Sequence, residues 1–165
     1  MEKNTLLKTS ALPLFSKMKK RDMFPAIKYL VDENKSKIKK IENLKAPTWN
    51  NLVYKLEESD DKISKAWAPI RHLNSVMNDK EIRAQYEKSL NLLTSHYGKI
   101  GQNKKLFSQY EKLYEQNRKN LTQSQNKLLE NVLRGFRLSG VHLNVKKRKL
   151  FRECQEKLAK LESKF

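Results

Sequence analysis

The sequence predicts an all-α fold, an antiparallel bundle of about six helices. Apolar residues recur three and four positions apart through most of the chain, which is the spacing of a helix with one buried face. Hydrophobic residues make up 38% and charged residues 33%, a balance typical of a folded helical protein. The 4 glycines and 4 prolines are too few for the many turns of an all-β fold. Residues 1–165 are therefore predicted to form a single helical domain.

The first residues are predicted to differ from the rest. Residues 1–18 are expected to form an extended lead-in, because Pro13 disfavours helix in the residue before it. Residues 19–165 are expected to be helical. Six apolar stripes mark the helices, and they cover residues 27–41, 52–70, 82–93, 106–114, 128–136 and 151–165.

Helix starts are indicated by capping residues. Thr48 is a suitable N-cap for the second helix, since its hydroxyl can accept a bond from an unpaired backbone N–H. Residues 78–81 resemble a capping box, with Asn78 as the cap and Glu81 three positions on. They are predicted to open the third helix. The sixth helix is expected to begin near Asn144.

Helix ends are indicated by proline and glycine. Pro69 removes one backbone hydrogen bond and is expected to kink or shorten the second helix. Gly98 and Gly101 are expected to loosen the chain after the third helix. Gly140 follows Ser139 and ends the fifth. No closing signal follows the sixth stripe, so the last helix is predicted to be truncated.

The chain carries a large positive charge. Lysine and arginine number 36 against 18 acidic residues, a net charge of +18 that attracts phosphate groups and anionic lipid. The excess is spread along the sequence, which favours lysines on exposed helix faces, although residues 17–21 and 146–149 form dense basic clusters. No apolar run is long enough for a membrane span, and no signal peptide is evident. With one cysteine, Cys154, the chain is expected to be cytoplasmic.

Several short segments resemble, in order, those of a known peptidase family. The matching segments are 12–17, 24–26, 46–52, 64–76 and 133–141, and the most specific is Pro69-Ile70-Arg71-His72-Leu73-Asn74-Ser75-Val76. The chain resembles the N-terminal region of the oligopeptidase A and thimet oligopeptidase family of zinc metallopeptidases. This resemblance covers nearly the whole chain.

The resemblance implies a function for the parent enzyme rather than for this chain alone. Family members cleave short peptides inside a deep channel, and their N-terminal helices form part of its wall. Their zinc is held by a His-Glu-x-x-His helix far downstream. This chain has His72, His96 and His142, which are too far apart in sequence to form that pair. No catalytic or metal residue is carried over, no cofactor is expected in this chain, and the chain alone is predicted to be inactive.

His72 and Asn74 are the candidate peptide-channel contacts, because they follow Pro69 at a predicted helix break. The alternative is that both side chains satisfy backbone groups freed by the proline. Expected partners are the remainder of the parent peptidase, or a second copy packed on the stripe of the last helix. That stripe consists of Phe151, Cys154, Leu158, Leu161 and Phe165. Cys154 is expected to be a small core residue.

A second hypothesis concerns the charge. The same scaffold would serve as a stand-alone basic helical module that binds nucleic acid or an acidic protein. Nucleic acid is the less favoured partner, since the aromatic residues fall at helical spacing and are expected in the core rather than on a base-stacking surface.

Overall fold

The computed structural model describes residues 4–8, 12–77 and 79–162, and all the regular structure in these ranges is helical. The all-α prediction with six helices is confirmed. The helices are α1 (Met23–Ile41), α2 (Tyr54–Val76), α3 (Lys80–Gly101), α4 (Lys104–Asn117), α5 (Gln123–Leu138) and α6 (Val145–Glu162). None of the helices in the described ranges combines the length and apolar character needed to span a bilayer.

The sequence predicts an extended lead-in, but the described part of it is not extended throughout. It contains 3₁₀ turns at Thr5–Leu7 and Phe15–Lys17. Leu6 is buried in the core, and the amide of Asn4 donates to the carbonyl of Asp22 over 2.8 Å. Burial of Leu6 favours these compact turns over an extended chain.

The predicted cap of the second helix is confirmed. The Thr48 hydroxyl accepts from the backbone of Asn51 at 3.2 Å, and the Asn51 side chain accepts from the backbone of Thr48 at 2.7 Å. A five-residue π turn, Trp49–Val53, then leads into α2.

The predicted cap of the third helix is wrong by one residue. Asp79, not Asn78, caps α3, and its Oδ1 accepts from the backbone of Glu81 at 3.0 Å and of Ile82 at 2.9 Å. A carboxylate at this position also interacts favourably with the positive end of the helix. Asn78 lies outside the described residues.

Two predicted interruptions, a shortening of α2 at Pro69 and a loosening of the chain at Gly98, do not occur, whereas α3 does end at Gly101. Pro69 does not shorten α2, which continues to Val76, because Pro69 and Ile70 are buried and packing holds the backbone helical. Gly98 does not loosen the chain, since it lies inside α3 and packs against Arg152 of α6. The end of α5 is as predicted: Gly140 has a φ of +81°.

Two pairs of helices, α4 with α5 and α3 with α6, pack antiparallel. Phe107 contacts Phe136, with ring centroids 5.6 Å apart, while Tyr114, further along α4, donates to Glu130, earlier in α5. These two contacts fix the opposite directions of α4 and α5. In the same way α6 runs back along α3, because Arg148 reaches Gln102 and the later Arg152 lies against Gly98.

The buried apolar residues fall into two clusters. The first joins the lead-in, the N-terminal half of α1, α2 from Ile63 onward and α3 as far as Leu93. It consists of Leu6, Met23, Ala26, Ile27, Leu30, Val31, Ile63, Ala66, Ile70, Ile82 and Leu93. The second joins the opposite ends of α1 and α2 to α4, α5 and the turn after α5, and it consists of Ile38, Ile41, Leu52, Val53, Leu56, Leu106, Phe107, Tyr110, Leu113, Leu129, Leu133, Phe136 and Val141. The buried polar residues Asn34, Ser59 and His96 lie between members of the two clusters along the chain.

Candidate functional site

Part of the matching segment 64–76 packs α2 against its neighbours. Trp67 stacks on Tyr86 of α3, with ring centroids 5.0 Å apart and planes at 15°. Pro69 and Ile70 are buried between the helices. These side chains therefore join α2 to α3, whereas Arg71 and His72, which follow them, are exposed.

His72 and Asn74, the predicted peptide contacts, lie on the last turns of α2. His72 is exposed, and its ring packs 5.4 Å from the ring of Phe15 in the lead-in. Asn74 is half-buried, and its Oδ1 is enclosed without a hydrogen-bond partner among the described residues. Residues two apart on a helix point to different faces. A single ligand therefore cannot contact both side chains from one side of α2.

A polar layer that the sequence analysis did not single out lies between the two apolar clusters. Its centre is Asn34, which is fully buried. The Asn34 amide donates to Ser59 Oγ at 3.0 Å and to Asp60 Oδ1 at 3.2 Å, and its Oδ1 pairs with His96 Nε2 at 3.0 Å. Tyr97 completes the layer with a hydrogen bond to Asp60. One amide thus links α1, α2 and α3.

The polar layer shifts the pKa of its two ionisable members in opposite directions. Burial, reinforced by the nearby carboxylate of Glu57, raises the pKa of Asp60 from 3.8 to about 6. Burial, with the positive charges of Lys35 and Lys99, lowers the pKa of His96 from 6.5 to about 4. At neutral pH the histidine is uncharged, and its bond to Asn34 Oδ1 requires the proton on Nε2.

A cavity of about 150 Å³ opens beside the polar layer. Asp60 and Glu57 line its polar side, and Tyr110, which is 4% exposed, lines it from α4. Burial and the two carboxylates raise the pKa of the Tyr110 hydroxyl. The space holds about five water molecules at liquid density.

The sequence carried a signal for the polar layer. Asn34 falls on the apolar stripe of α1 between Val31 and Ile38, and His96 follows Leu93 on the buried face of α3. A polar residue at a buried helical position needs a partner. A polar residue on an apolar stripe identifies the members of the layer, but it does not show which of them form hydrogen bonds with each other.

The outer helix α6 is attached by its polar side. Arg148 Nη1 donates to the carbonyl of Gln102 at 3.3 Å, and Arg152 Nη1 donates to Gln102 Oε1 at 2.5 Å. Gln155 lies against Gly98. Polar and charged groups of α6 therefore make these contacts with α3.

The apolar stripe of α6 faces solvent from Cys154 to Leu161. Leu158 and Leu161 are each 56% exposed, and Phe151 is half-buried. Cys154 is an exposed free thiol, so its prediction as a core residue is wrong. The reason is that the opposite, arginine-bearing face of α6 packs on α3. Phe165, the last residue of the predicted stripe, lies outside the described residues.

The described residues contain no group of three or more His, Cys, Asp or Glu side chains placed to hold a metal ion. His72, His96 and His142 are separately placed: His72 lies on α2, His96 is in the polar layer, and His142 packs its ring 5.1 Å from Phe107.

Comparison with known proteins gives matches over most of the chain. Residues 27–149 match the family model described as "Neurolysin/Thimet oligopeptidase, N-terminal domain". The chain is 36% identical to oligopeptidase A of Haemophilus influenzae over 98% of its own length, and 34% identical to oligopeptidase A of Escherichia coli over 96%. It is 28% identical over 100% of its length to a probable cytosolic oligopeptidase A of Arabidopsis thaliana. In all three comparisons the chain spans 24% of the relative's length.

Proposed function

Because the chain belongs to the neurolysin/thimet oligopeptidase family, whose N-terminal domain it matches, we propose that it is the channel-wall helical domain of an oligopeptidase A-like zinc metallopeptidase that cleaves short peptides. The observation that carries this proposal is the pattern of coverage. The match runs along 98% of this chain but only 24% of the Haemophilus relative. These matches favour an enzyme domain over a stand-alone binding module.

In this proposal the chain shapes the channel and supplies no chemistry. Zinc would activate water in the parent enzyme, but the described residues offer no ligand set for it, so no zinc step is assigned to this chain. His72 is the better candidate peptide contact, because it is exposed, whereas the enclosed Oδ1 of Asn74 faces the protein. A cytoplasmic location is part of the proposal.

The exposed stripe of α6 supports a partner for this domain. Leu158 and Leu161, exposed on one helix, are apolar side chains of the kind that protein interfaces cover. We propose that the remainder of the peptidase covers them in the full enzyme, and that in the isolated chain a second copy does so.

The first test measures activity. The purified chain is incubated with a quenched fluorescent peptide, with and without added zinc, beside Escherichia coli oligopeptidase A as a positive control. We expect no cleavage by the chain alone. Zinc-dependent cleavage by the pure chain would show that it carries its own active site.

The second test measures assembly. The chain is co-expressed with Escherichia coli oligopeptidase A that lacks its N-terminal quarter, and the complex is isolated through a tag on the chain. We expect co-purification with zinc-dependent peptidase activity, and loss of both when Leu158 and Leu161 are replaced by glutamate. The matched control replaces the exposed Lys157 and Lys160 by glutamate. If the leucine and lysine variants assemble equally well, the stripe is not the interface.

A further inference from the structure

Three segments far apart in the sequence meet at one end of the bundle. They are residues 39–45 at the end of α1, 99–105 between α3 and α4, and 137–147 between α5 and α6. The amide of Asn103 donates to the Glu42 carboxylate over 2.6 Å, which joins the first two segments. We call the three segments together the basic end.

The third segment is joined to the second by close packing. A Cβ built on Gly101 would lie 2.7 Å from the side chain of Ser139, so the two segments are in direct contact there. The Arg148 bond to the carbonyl of Gln102 holds the start of α6 at the same place.

The basic end gathers charge that the sequence spreads. It contains nine lysines and arginines and a single carboxylate, that of Glu42, which already accepts from Asn103. All nine cations are exposed, and they are Lys39, Lys40, Lys45, Lys99, Lys104, Lys105, Arg137, Lys146 and Lys147. These cations are spread along the sequence, and folding brings the nine of them to one end of the bundle. At the opposite end, by contrast, Lys20 is paired with Asp79.

Helix stability explains only some of these cations. Those in the last turns of α1, α3 and α5 interact favourably with the carbonyl ends of their helices. Lys104 and Lys105 open α4, and Lys146 and Lys147 lie in the first turn of α6. Cations at these positions are disfavoured by the positive end of the helix. These four lysines are better explained by an external anion.

Two exposed apolar residues lie among the cations. Leu138 is 68% exposed at the end of α5, and Val145 is 75% exposed at the start of α6, on either side of the turn at Gly140. Binding to a phosphate backbone is dominated by its negative charge, which exposed aliphatic side chains do not neutralise. A polypeptide is bound by apolar anchors within a charged rim. The combination fits a polypeptide better than a nucleic acid.

We propose that the basic end is a binding surface for acidic polypeptide segments. Carboxylates of the segment contact the lysines that open α4 and α6, and one of its apolar side chains packs between Leu138 and Val145. This surface is independent of the catalytic role of the parent enzyme, so it can be tested on the chain alone.

The test is fluorescence anisotropy with a labelled peptide in which glutamate segments alternate with leucine-containing segments. The control peptide has the same sequence with glutamine in place of every glutamate. We expect the acidic peptide alone to bind, and its binding to weaken roughly tenfold as salt rises from about 50 to about 200 mM. Loss of roughly tenfold in affinity is also expected for the variant Lys104→Gln, Lys105→Gln, Lys146→Gln, Lys147→Gln. The matched control, with four exposed lysines changed outside the basic end, is Lys17→Gln, Lys19→Gln, Lys80→Gln, Lys88→Gln.

Folding does not confound the comparison. Removal of cations from helix N-termini is not expected to destabilise α4 or α6, so the melting temperature of the first variant should equal or exceed that of the wild type. Equal loss of binding in the two lysine variants would overturn the assignment to the basic end. Absence of peptide binding at low salt would overturn the proposal as a whole.

A further variant separates the two classes of polyanion. Leu138→Ser with Val145→Ser should weaken binding of the acidic peptide severalfold and leave binding of a labelled oligothymidine unchanged. If oligothymidine binds more tightly than the peptide, and the serine variant leaves peptide affinity unaltered, the surface recognises phosphate backbones and the proposal is wrong.

Discussion

The opposite pKa shifts in the polar layer predict opposite pH dependences of stability for two single variants. His96→Gln keeps a donor for Asn34 and removes the titrating ring. Asp60→Asn keeps an acceptor for the Asn34 amide and removes the titrating carboxyl. Each variant therefore exposes the contribution of the group that remains.

His96 contributes stability that is lost on acidification. Its pKa is about 4 in the folded chain against 6.5 when unfolded. As pH falls below 6.5 the unfolded chain binds a proton that the folded chain does not, so the free energy of unfolding falls until about pH 4. The pKa difference corresponds to about 3 kcal/mol at full effect. Screening beside the half-exposed Tyr97 reduces our expectation to about 1–2 kcal/mol.

Asp60 contributes in the other direction. Its pKa of about 6 in the folded chain lies above the unfolded value of 3.8. Its contribution is complete below pH 3.8 and is lost as pH rises through 6, so acidification from neutral pH raises stability. Asp60 is half-buried, and with screening we expect about 1 kcal/mol.

The measurement is urea unfolding followed by circular dichroism at several pH values between about 7 and about 4.5. The wild type should show a shallow profile, because its two contributions oppose each other. Asp60→Asn should lose stability on acidification, and His96→Gln should gain it. Asp32 and Asp79, whose pKa values are lowered, act below this range. Parallel profiles for the three proteins would refute the opposed shifts.

Three further predictions follow from the caps, the glycines and the thiol. Gly135→Ala should raise the free energy of unfolding by about 0.5–1 kcal/mol, because among the described residues no atom beyond its chain neighbours and the surrounding helix backbone lies within 4 Å of the position of an added Cβ. Gly140→Ala should lower the free energy of unfolding by at least about 1 kcal/mol, because φ at Gly140 is +81° and the added Cβ would lie 2.6 Å from Leu143. Equal effects in chemical denaturation would contradict this contrast. Thr48→Ala should cost about 1 kcal/mol in the same assay, while Thr48→Ser should cost little. Cys154 should react completely with Ellman's reagent in the folded chain, and a thiol that reacts only after urea is added would show that it is covered.

Much of the helical architecture could be predicted from local signals. Apolar spacing determines where helices form, and the reciprocal bonds of Thr48 and Asn51 involve residues three apart, so both can be found without a structure. The incorrect predictions were also local. Pro69 predicts a kink or a shortening of α2, and the shortening does not occur because burial outweighs the loss of one backbone bond.

The polar layer and the basic end depend on contacts across long stretches of chain. Asn34 and His96 are 62 positions apart, and either residue alone is only an isolated polar group on an apolar stripe. Whether the two side chains come into contact depends on the position of α1 relative to α3 along the helix axes. The apolar stripe of α6 is evident in the sequence. The sequence does not show that the arginines of α6, rather than its leucines, face α3, because exposed leucines are common on protein surfaces.

The attachment of α6 has a consequence for the dynamics of the chain. None of its described residues is buried, and neither apolar cluster includes any of them. Its release from Gln102 would expose little apolar surface and leave the other five helices intact, so hydrogen exchange in α6 should proceed through local opening at a small fraction of the free energy of global unfolding. A partner protein that binds the leucine face of α6 can therefore move this helix without unfolding the bundle formed by α1 to α5.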